Sequence, residues 1–546
     1  MPDLLLGPLL RWVGSSRATV WVETDAACEV TVLGRRARTF CVAGHHIGLV
    51  VVEGLPEQAE TPYDVLLDGV TVWPDPALVA QGWPPSTIRT RAATQRIRLA
   101  FGSCRVAGPL GDETRGVDAL HALAERMRRA GSTEWPDELL LVGDQVYADD
   151  NISPGVRAFI AARRDTSDPA GPGAEVADLE EYTRLYRESW SPAPVRWLLS
   201  TLPSAMIFDD HDVRDDWNTS AAWRSSMQAL PWWQGRIEAA LASYWLYQHL
   251  GNLDPDELAA DPLLAALRGA DDGWPVLRAF AARADAEADG GGPTRWSYRR
   301  DLGTTRLLVL DSRCGRVVHG SRREMLDEPE WAWLHDQLTG DPDHLLLATS
   351  LPFLLPPGVH HLEAWDEALT AGRWGGRWAR LGERLRQGAD LEHWAAFGTS
   401  FARMTRLLAE VGSGVHGRAP ATITFLSGDV HFAYLAEATF PRRPEVTSRV
   451  FQAVCSPLRN PLPGAVSWGQ RFASSRVAGR IGRGLARLAG VAAPELAWQV
   501  TGGPAFGNEV ATLSLDGRSA LLEVEAAVPG PALRHSFAAQ LTPGCR

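Results

Sequence analysis

The sequence predicts a mixed α/β protein that begins with a small all-β domain. Within residues 1–92, runs such as "RATVWVETD" alternate apolar and polar side chains, and the pair Asp68-Gly69 is typical of a hairpin turn between two apolar runs. Short strands at this spacing indicate a small sandwich. The Pro-bearing, polar stretch 82–95 is typical of a linker. With 546 residues the chain is long enough for two or more domains.

A larger α/β domain is predicted over residues 93–540, where buried strands alternate with helical patterns. After the strand-like run "RIRLAFGSC", apolar side chains from Val117 to Met127 share one helical face, and the run "ELLLVGD" follows. This order of strand, helix and strand is typical of a parallel or mixed sheet. Further buried strands are predicted in "SAMIFDD", "TRLLVLDSR", "HLLLATS" and "TITFLSGD". Two Trp-bearing helical segments, 220–296 and 356–420, are predicted insertions.

Composition and charge restrict the classes of function. A net charge of −12 argues against general binding to nucleic acid or to anionic lipid, so we expect no nucleic-acid and no membrane partner. The chain has no lysine, which excludes mechanisms built on a lysine but leaves arginine to bind phosphate. The N-terminal stretch lacks the basic region of a signal peptide, and no apolar run is long enough for a transmembrane helix. We therefore expect a soluble, cytoplasmic protein whose oligomeric state the sequence does not indicate.

Potential metal ligands follow several of the predicted strands, at the point where each strand ends. The carboxyl ends of strands in an open α/β sheet border the ligand crevice, so residues far apart in sequence are expected to meet there. The candidate ligands and their neighbours are Cys104, Asp144, Tyr147, Asp209, Asp210, His211, Asp212, Asp429 and His431.

The residue types in this set indicate two kinds of cation. A thiolate, a phenolate and an imidazole suit Fe(III) or zinc, whereas clustered carboxylates suit Ca²⁺, Mn²⁺ or Mg²⁺. Two neighbouring cations are able to clamp a phosphate group for in-line attack, and Asp144 is a candidate bridge between them. His211 is a candidate acid for the leaving oxygen, and Asp212 is a candidate to orient it and raise its pKa.

Each of these motifs also has a purely structural interpretation. A Gly-Asp pair after a strand is common in turns, a single Cys at a strand end is commonly buried, and Tyr147 alone fits a core position. The acidic run at 209–216 also fits the start of a helix with a capping Asp. Four such strand endings in one chain favour a joint metal site. The candidate phosphate-binding arginines, each also compatible with a structural ion pair, are Arg105, Arg313 and Arg459.

Five motifs taken together resemble a known family. The stretches "FGSC", "GDQVYAD", "FDDHDVRDDWN", "LVLDSR" and "SGDVH" are similar, in order and rough spacing, to those of the PhoD-like alkaline phosphatases within the calcineurin-like metallophosphoesterases. The resemblance extends over about residues 95–460. It implies a four-layer αββα metallophosphatase domain preceded by a small fibronectin-like β-sandwich.

The resemblance also implies a ligand set and an activity. Iron, as Fe(3+), would lie among four residues, of which Asp144 would bridge to calcium, Ca(2+); zinc or manganese are the alternatives. The four are Cys104, Asp144, Tyr147 and His431. Asp210 and Asp429 stand where the wider superfamily has an Asn and a His ligand, Asp209 is a further candidate ligand, and His211 takes the position of a phosphate-contacting His.

The implied function is hydrolysis of phosphate esters, of the alkaline phosphatase D type, through attack of a metal-bound hydroxide on phosphorus. Two alternatives stay open, namely a phosphodiesterase acting on lipid or polymer phosphodiesters and a non-catalytic binding protein on the same fold. One departure from the wider superfamily concerns a metal-binding His after a central strand. The stretch "LLLATSLPF" offers only Thr349 and Ser350 at the corresponding place.

Overall fold

The computed structural model of the chain describes residues 1–92, 96–109, 113–319, 322–462 and 475–542. Its N-terminal part contains two four-stranded antiparallel sheets, with strand orders β1-β2-β6-β5 and β4-β3-β8-β9, and a two-stranded ribbon of β7 and β10. The elements are β1 Leu4–Val13, β2 Arg17–Thr24, β3 Glu29–Val32, β4 Arg35–Arg38, β5 Phe40–Val42, β6 His45–Glu53, β7 Glu60–Pro62, β8 Val65–Leu67, β9 Val70–Trp73, α1 Pro76–Ala80 and β10 Thr87–Arg89.

The predicted hairpin turn joins β8 to β9. Leu67 pairs with Val70, and both residues between them have left-handed backbone, with φ of 46° at Asp68 and 82° at Gly69. Two successive left-handed residues form the two-residue turn whose twist matches that of antiparallel strands. The hairpin prediction is confirmed. The predicted division at residues 92 and 93 lies at the edge of the described residues and stays a prediction.

The larger part of the chain contains two mixed sheets and most of the helices. The first sheet has the order β13-β12-β11-β21-β22-β23, and the second has the order β14-β15-β16-β17-β19-β18-β20. The strands are β11 Ile97–Gly102, β12 Glu138–Val142, β13 Ser204–Ile207, β14 Tyr298–Leu302, β15 Thr305–Val309, β16 His344–Ala348, β17 Thr422–Ser427, β18 Ala433–Thr439, β19 Arg449–Val454, β20 Ala497–Ala505, β21 Glu509–Asp516, β22 Ser519–Val528 and β23 Ala532–Gln540.

The helices lie between and around these strands. They are α2 Ala119–Arg129, α3 Pro154–Arg163, α4 Leu179–Trp190, α5 Ala193–Thr201, α6 Ala221–Gln228, α7 Trp233–Tyr247, α8 Pro255–Ala260, α9 Pro262–Gly269, α10 Trp274–Ala286, α11 Glu328–Gln337, α12 Pro357–Thr370, α13 Gly376–Gly388, α14 Gly398–Gly412 and α15 Arg476–Leu488. Short 3₁₀ turns occur at Glu113–Arg115, Ser132–Glu134, His249–Gly251 and Trp394–Ala396. Among the described residues, no helix combines the length and hydrophobicity that a bilayer-crossing segment needs.

The layers follow from the alternation of side chains along the strands. In β15, Leu307 and Val309 belong to a core shared with the first sheet, whereas Leu308, on the other face, and Leu310, directly after the strand, belong to a second core with α11 and α14. Helix α2 packs against β21, β22 and β23 of the first sheet. The order is therefore helix, sheet, sheet, helix, and the predicted four-layer αββα fold with an all-β N-terminal region is confirmed.

The helix predicted after β11 begins at a capping residue, and the helices of the two predicted insertions are present. Helix α2 begins after Asp118, whose Oδ1 accepts a hydrogen bond from the backbone N–H of Leu120 at 2.9 Å. Helices α6 to α10 fall within the predicted insertion 220–296, and α12 to α14 fall within 356–420. Whether these segments are insertions stays a prediction.

A partly buried charge cluster joins the N-terminal sheet to α4. Nδ1 of His45 lies 3.2 Å from Oε1 of Glu23, and Nε2 of His45 lies 2.9 Å from Oε2 of Glu180. Arg187 donates from Nη2 to Oε1 of Glu23 at 2.7 Å. Burial lowers the pKa of His45, but the hydrogen bond and charge of Glu23, with the charge of Glu180, outweigh burial and raise it above 6.5. Protonated His45 thus donates to carboxylates from both parts of the chain.

We predict that His45→Gln destabilises the protein more under acidic than under alkaline conditions. Because the pKa of His45 is higher in the folded than in the unfolded chain, its contribution is complete below the unfolded pKa of about 6.5 and is lost as the pH rises through the folded value. Thermal unfolding of both proteins at about pH 6 and about pH 9 measures this difference. His535→Gln, at an exposed position, is the control. Equal losses of Tm at the two pH values would contradict the prediction.

Candidate metal centre and its pocket

The predicted ligands converge at the carboxyl ends of parallel strands. Strands β11, β12 and β13 run parallel in the first sheet, as do β15, β16 and β17 in the second. Two glycines allow the loops to approach one another: a Cβ on Gly143 would lie 2.7 Å from the Cβ of Asp209, and one on Gly428 would lie 1.9 Å from Oγ of Ser103. The two sheets thus present their ligand-bearing loops to a common space.

Four of the predicted ligands have left-handed backbone, which is unusual for residues other than glycine. The φ angles are 56° at Cys104, 51° at Asp144, 66° at Asp429 and 58° at His431. Such a conformation costs on the order of 1–3 kcal/mol for each residue and is concentrated at functional sites. Glycine would relieve this strain, so the observed residues indicate that their side chains are needed at these places.

Cys104, Asp144 and His431 form the first of two ligand groups. Their ligand atoms lie within 4.8 Å of one another. Oδ1 of Asp144 is buried without a hydrogen-bond partner among the described residues, while Oδ2 accepts a hydrogen bond from the Tyr147 hydroxyl at 3.3 Å. Burial, reinforced by the charge of Asp144, raises the pKa of Cys104 well above 9.0. A cation placed among these atoms would favour the thiolate and give the orphaned oxygen a partner, so the group fits a metal.

Asn460, which sequence reasoning did not single out, orients two members of this neighbourhood. Its carbonyl oxygen lies 2.8 Å from Nδ1 of His431, and since a carbonyl only accepts, Nδ1 carries the proton. Nε2 of a neutral His431 therefore keeps its lone pair, as a metal ligand requires. The side-chain amide of Asn460 also donates to the hydroxyl of Tyr147 at 3.2 Å. The motif "LRNP" contains no local signal of this role.

Asp209, Asp210 and Asp429 form the second ligand group, again with oxygens within 4.8 Å of one another. Burial raises the pKa of Asp209 to about 8, although Arg313 opposes this shift. Oδ2 of Asp209 is buried without a hydrogen-bond partner in the described part of the chain. Three converging carboxylates with one orphaned oxygen fit a hard cation such as calcium.

Arg313 belongs to this second group and not to a substrate-binding surface. It is fully buried, donates from Nε to Oδ1 of Asp209, and donates from Nη1 to Glu392 at 2.6 Å. Its Nη2 lies 3.3 Å from Oδ1 of Asp210 and 3.9 Å from Oδ1 of Asp429. The expectation that Arg313 binds substrate is corrected, because these carboxylates occupy its guanidinium. It supplies part of the positive charge that the cluster needs.

The other two candidate phosphate-binding arginines are also structural. Arg105 is buried and donates from Nε to Asp118 at 2.9 Å and from Nη1 to the carbonyl of Ser189 at 2.8 Å. Arg459 is buried and donates to the carbonyls of Gly108 and Pro109 at 2.9 and 2.6 Å. Both expectations are corrected: these guanidinium groups bind the loops together and do not border the pocket.

His393 brings a second imidazole to the carboxylates from a remote segment. Its Nε2 lies 2.8 Å from Oδ2 of Asp429, and its Nδ1 lies 2.7 Å from Oε1 of Glu363. Burial lowers the pKa of His393, but the two carboxylates outweigh burial and raise it well above 6.5. After β16 the chain itself offers only Thr349 and Ser350, both buried. His393 lies directly before the 3₁₀ turn at Trp394–Ala396, in the motif "LEHW". Nothing in this motif indicates that His393 contacts the carboxylates.

His211 is oriented by Asp149, and this corrects the expectation for Asp212. Nδ1 of His211 lies 3.0 and 3.1 Å from the two carboxylate oxygens of Asp149. Asp212 instead accepts hydrogen bonds from the backbone N–H of Asp209 at 2.9 Å and from Nε2 of Gln248 at 3.0 Å. The side chain of Asp212 therefore holds the loop, because its oxygens are occupied away from the imidazole.

The surroundings of His211 favour its protonated form. Burial lowers its pKa, but the charges of Asp149 and Asp210 outweigh burial and raise it well above 6.5. The pKa of Asp149 is correspondingly held at about 2, because the His211 charge outweighs the effect of burial. The imidazole also packs against the ring of Tyr147, with 4.5 Å between centroids. Asp149, the partner of His211, lies in the motif "YADDN". Asp212 was the predicted partner because it is adjacent to His211 in the sequence.

A cavity of about 320 Å³ opens onto both ligand groups. Its polar lining includes Asp144, Asp210, His211, Asp215, Glu363, Asp390, Glu392, His393, Asp429 and His431, and its apolar lining includes Leu355, Val359 and Leu462. A larger cavity of about 690 Å³ lies beside α12, α14 and α15. None of the described ligand groups borders that larger cavity, so the smaller one is the candidate active site.

The fold and the pocket define a four-layer α/β protein with clustered candidate metal ligands, and comparisons with known proteins indicate a family that it resembles. Residues 118–259 match the model of the PhoD-like phosphatase family, which confirms the resemblance seen in the motifs. Residues 1–88 match a domain of unknown function, DUF7800. The matched phosphatase segment contains Asp144, Tyr147 and residues 209–216, whereas Cys104 and His431 lie outside it.

The solved structure of PhoD is similar to nearly the whole chain. It has a TM-score of 0.59 and 13% sequence identity, over 99% of this chain and 91% of that one. At this identity the likeness shows the fold. A maltogenic amylase from S. marinus, with a TM-score of 0.15 and 8% identity over 95% of this chain and 76% of that one, carries no argument. Among curated proteins none matches the chain. The family match supports a phosphatase function.

We predict that removing bound metal lowers the thermal stability of the protein. Without cations the buried carboxylates repel one another, and a cation present at about 100 times its Kd adds about 2.7 kcal/mol to stability. The measurement is Tm before and after chelation, with metal loss verified by elemental analysis. In Asp144→Ala, which lacks the oxygen between the groups, chelation should change Tm less. An unchanged Tm of the unaltered protein after verified metal loss would contradict this explanation of the cluster.

Proposed function

We propose that this protein hydrolyses phosphate esters in the 320 Å³ cavity, with cations held by the two ligand groups. One observation carries the proposal: ligands from four strand ends form two neighbouring groups, both of which reach one pocket, and Asp144 and Asp209 each keep a buried oxygen without a partner among the described residues. Such oxygens are costly unless a cation or proton accompanies them. The match to the phosphatase family also supports the proposed hydrolysis of phosphate esters.

The two groups suit different cations. The thiol, imidazole and phenol of Cys104, His431 and Tyr147 suit ferric iron, and the carboxylates of Asp209, Asp210 and Asp429 suit calcium. Asp144 is close to both sets, since it also groups with Asp210 and His211. Iron and calcium are therefore our proposed cofactors, with zinc or manganese as alternatives. When bound, such cations stabilise negative charge on phosphoryl oxygens and lower the pKa of coordinated water.

The chain's own residues supply a proton donor at the pocket. Asp149 raises the pKa of His211 and so favours its protonated form, and Nε2 of His211 lies 3.8 Å from the exposed carboxylate of Asp215, at the pocket lining. With Nδ1 bound to Asp149, Nε2 is the nitrogen that holds a transferable proton. We infer that His211 donates this proton to the leaving oxygen of the ester, and that Asp149 acts as its positioning residue.

Buried positive charges offset the carboxylates when substrate is absent. Arg313 joins Asp209 and Glu392, and His393 joins Asp429 and Glu363. These contacts fix the carboxylate orientations on the second ligand group. The charge of a phosphate ester would enter a pocket whose ligands are already positioned, so little reorganisation is needed. A cytoplasmic location and the absence of a nucleic-acid partner stay predictions.

The test is hydrolysis of p-nitrophenyl phosphate and bis(p-nitrophenyl) phosphate by protein supplied with iron and calcium. We expect turnover of the monoester that is lost in Asp144→Ala. Preference for the diester would assign the protein as a phosphodiesterase. Equal, background rates for the unaltered protein and Asp144→Ala would contradict catalysis and favour a binding protein on this fold.

The same assay separates the roles of Asp149 and Asp212. In Asp149→Asn the pKa of His211 falls, so the alkaline limb of the pH–rate profile should move to lower pH and the rate should fall at least about tenfold. Asp212→Asn should leave the position of that limb unchanged, because its partners are Gln248 and a backbone N–H. A shift in Asp212→Asn without one in Asp149→Asn would show that the assignment of roles is wrong.

A further inference from the structure

Helix α15 packs against α12 through its small residues and exposes its large apolar ones. A Cβ on Gly479 would lie 3.1 Å from the Cβ of Pro357, and one on Gly482 would lie 3.1 Å from the carbonyl oxygen of Gly358, so the two helices approach closely. The large side chains point elsewhere: the exposed fractions are 56% for Val477, 56% for Ile481 and 74% for Leu488. This is the reverse of an ordinary surface helix, which buries its large apolar side chains.

Helix α13 repeats the same pattern on the same support. Its Gly382 is buried against Thr370 and Leu369 of α12, while Trp378 and Leu381 are 45% and 52% exposed. A chain of ring contacts leads from Trp365 of α12 through Trp374 to Trp378, with centroids 6.0 and 5.5 Å apart. Both helices therefore expose large apolar side chains to solvent.

The exposed apolar residues form a stripe beside a row of arginines. At about 100° per residue, Val477, Ile481 and Leu488 fall within about 40° of one another on the helix α15 circumference. Exposed arginines occupy the neighbouring face of each helix: Arg377, Arg380 and Arg384 on α13, and Arg480, Arg483 and Arg487 on α15. Arg483 donates from Nε to Nε2 of His361 at 3.4 Å, and among the described residues no ion pair joins any of the six to a carboxylate. This arrangement is typical of helices that lie in a bilayer interface.

We propose that this arginine-helix surface, formed by the exposed residues of α13 and α15, binds the surface of anionic phospholipid bilayers. The arginines would bind the anionic lipid headgroups, and the apolar stripe would enter the boundary between the headgroups and the acyl chains. The net charge of −12 led to the expectation of no membrane partner, but that value averages over the whole chain. The local surface has the opposite sign.

Two other partners fit the surface less well. Nucleic acid would satisfy the arginines, but its phosphate backbone offers nothing to the aliphatic side chains of Val477, Ile481 and Leu488. A second copy of the chain would cover the apolar stripe but would bring six further exposed arginines against the first six. An anionic bilayer satisfies both features at once.

Binding there would bring the candidate active site close to the bilayer. Pro356 and Val359, at the start of α12, line the cavity, as do Ala389 and Asp390 directly after α13. The proposal goes beyond the proposed phosphatase activity and depends on no step of it. The test measures bilayer binding alone, so a negative result for one proposal would not contradict the other.

The experiment measures binding of the full chain to vesicles of phosphatidylcholine alone and of equal parts phosphatidylcholine and phosphatidylglycerol. We expect co-sedimentation with the anionic vesicles only, weakened by salt because screening reduces surface electrostatics. The apolar variant combines Val477→Ser, Ile481→Ser and Leu488→Ser, and the charge variant combines Arg377→Gln, Arg380→Gln, Arg480→Gln and Arg487→Gln. Each should weaken binding at least about tenfold.

Matched controls change equally exposed residues elsewhere. Val70→Ser, Val79→Ser and Val415→Ser together match the apolar variant, and Arg36→Gln, Arg129→Gln, Arg283→Gln and Arg322→Gln together match the charge variant. Both controls should bind like the unaltered protein. The proposal is overturned if anionic vesicles fail to bind, or if the controls lose as much affinity as the variants. Binding of duplex DNA or self-association through these residues, without vesicle binding, would overturn it as well.

Discussion

Repulsion between buried carboxylates is the constraint on which the rest of the site depends. Asp209, Asp210 and Asp429 bring oxygens within 4.8 Å of one another, and Asp144 groups with Asp210 and His211 at the same distance. In a buried setting such charges are tolerated only with protons, cationic side chains or metal ions beside them. Arg313 and the two histidines His211 and His393 supply part of that positive charge. The orphaned oxygens indicate where the remaining charge belongs.

The backbone is shaped to maintain this crowding. Left-handed turns at Cys104, Asp144, Asp429 and His431 point ligands from two sheets into one space, and Gly143 allows the loops to meet. The hydrophobic cores on both faces of the second sheet hold the strand ends in place, so the local strain is retained in the folded state. The stability of the fold and the geometry of the site are therefore linked through the strand ends.

The sequence predicted the parts of this arrangement that follow from topology. Parallel strands end at one edge, so Cys104, Asp144 and His431 could be brought together from their positions after buried runs. It could not predict partnerships between side chains from separate loops. Asp212 was predicted as the partner of His211 in place of Asp149, and the roles of Asn460 and His393 were missed. A hydrogen bond between residues far apart in the chain produces no periodic pattern in the sequence.

The net charge of the chain, which is an average over all residues, led to a wrong expectation about its local surfaces in a similar way. A net charge gives no information about where charges lie, and the basic faces of α13 and α15 appear only once small residues are seen to pack against α12. The three candidate arginines were likewise chosen by proximity in sequence, whereas Arg105 and Arg459 bind carbonyls and carboxylates inside the fold. Burial decides the role of an arginine, and burial depends on tertiary structure.

Anomalous X-ray scattering from crystals of the metal-loaded protein tests the central claim most directly, because it locates and identifies cations together. We expect one peak among Cys104, Asp144 and His431, with an iron signal, and another among Asp209, Asp210 and Asp429, with a calcium signal. A zinc or manganese signal at the same places would change the identity of the metals but not their role. Fully loaded crystals without a peak at either group would contradict the claim that the carboxylates are crowded to hold cations.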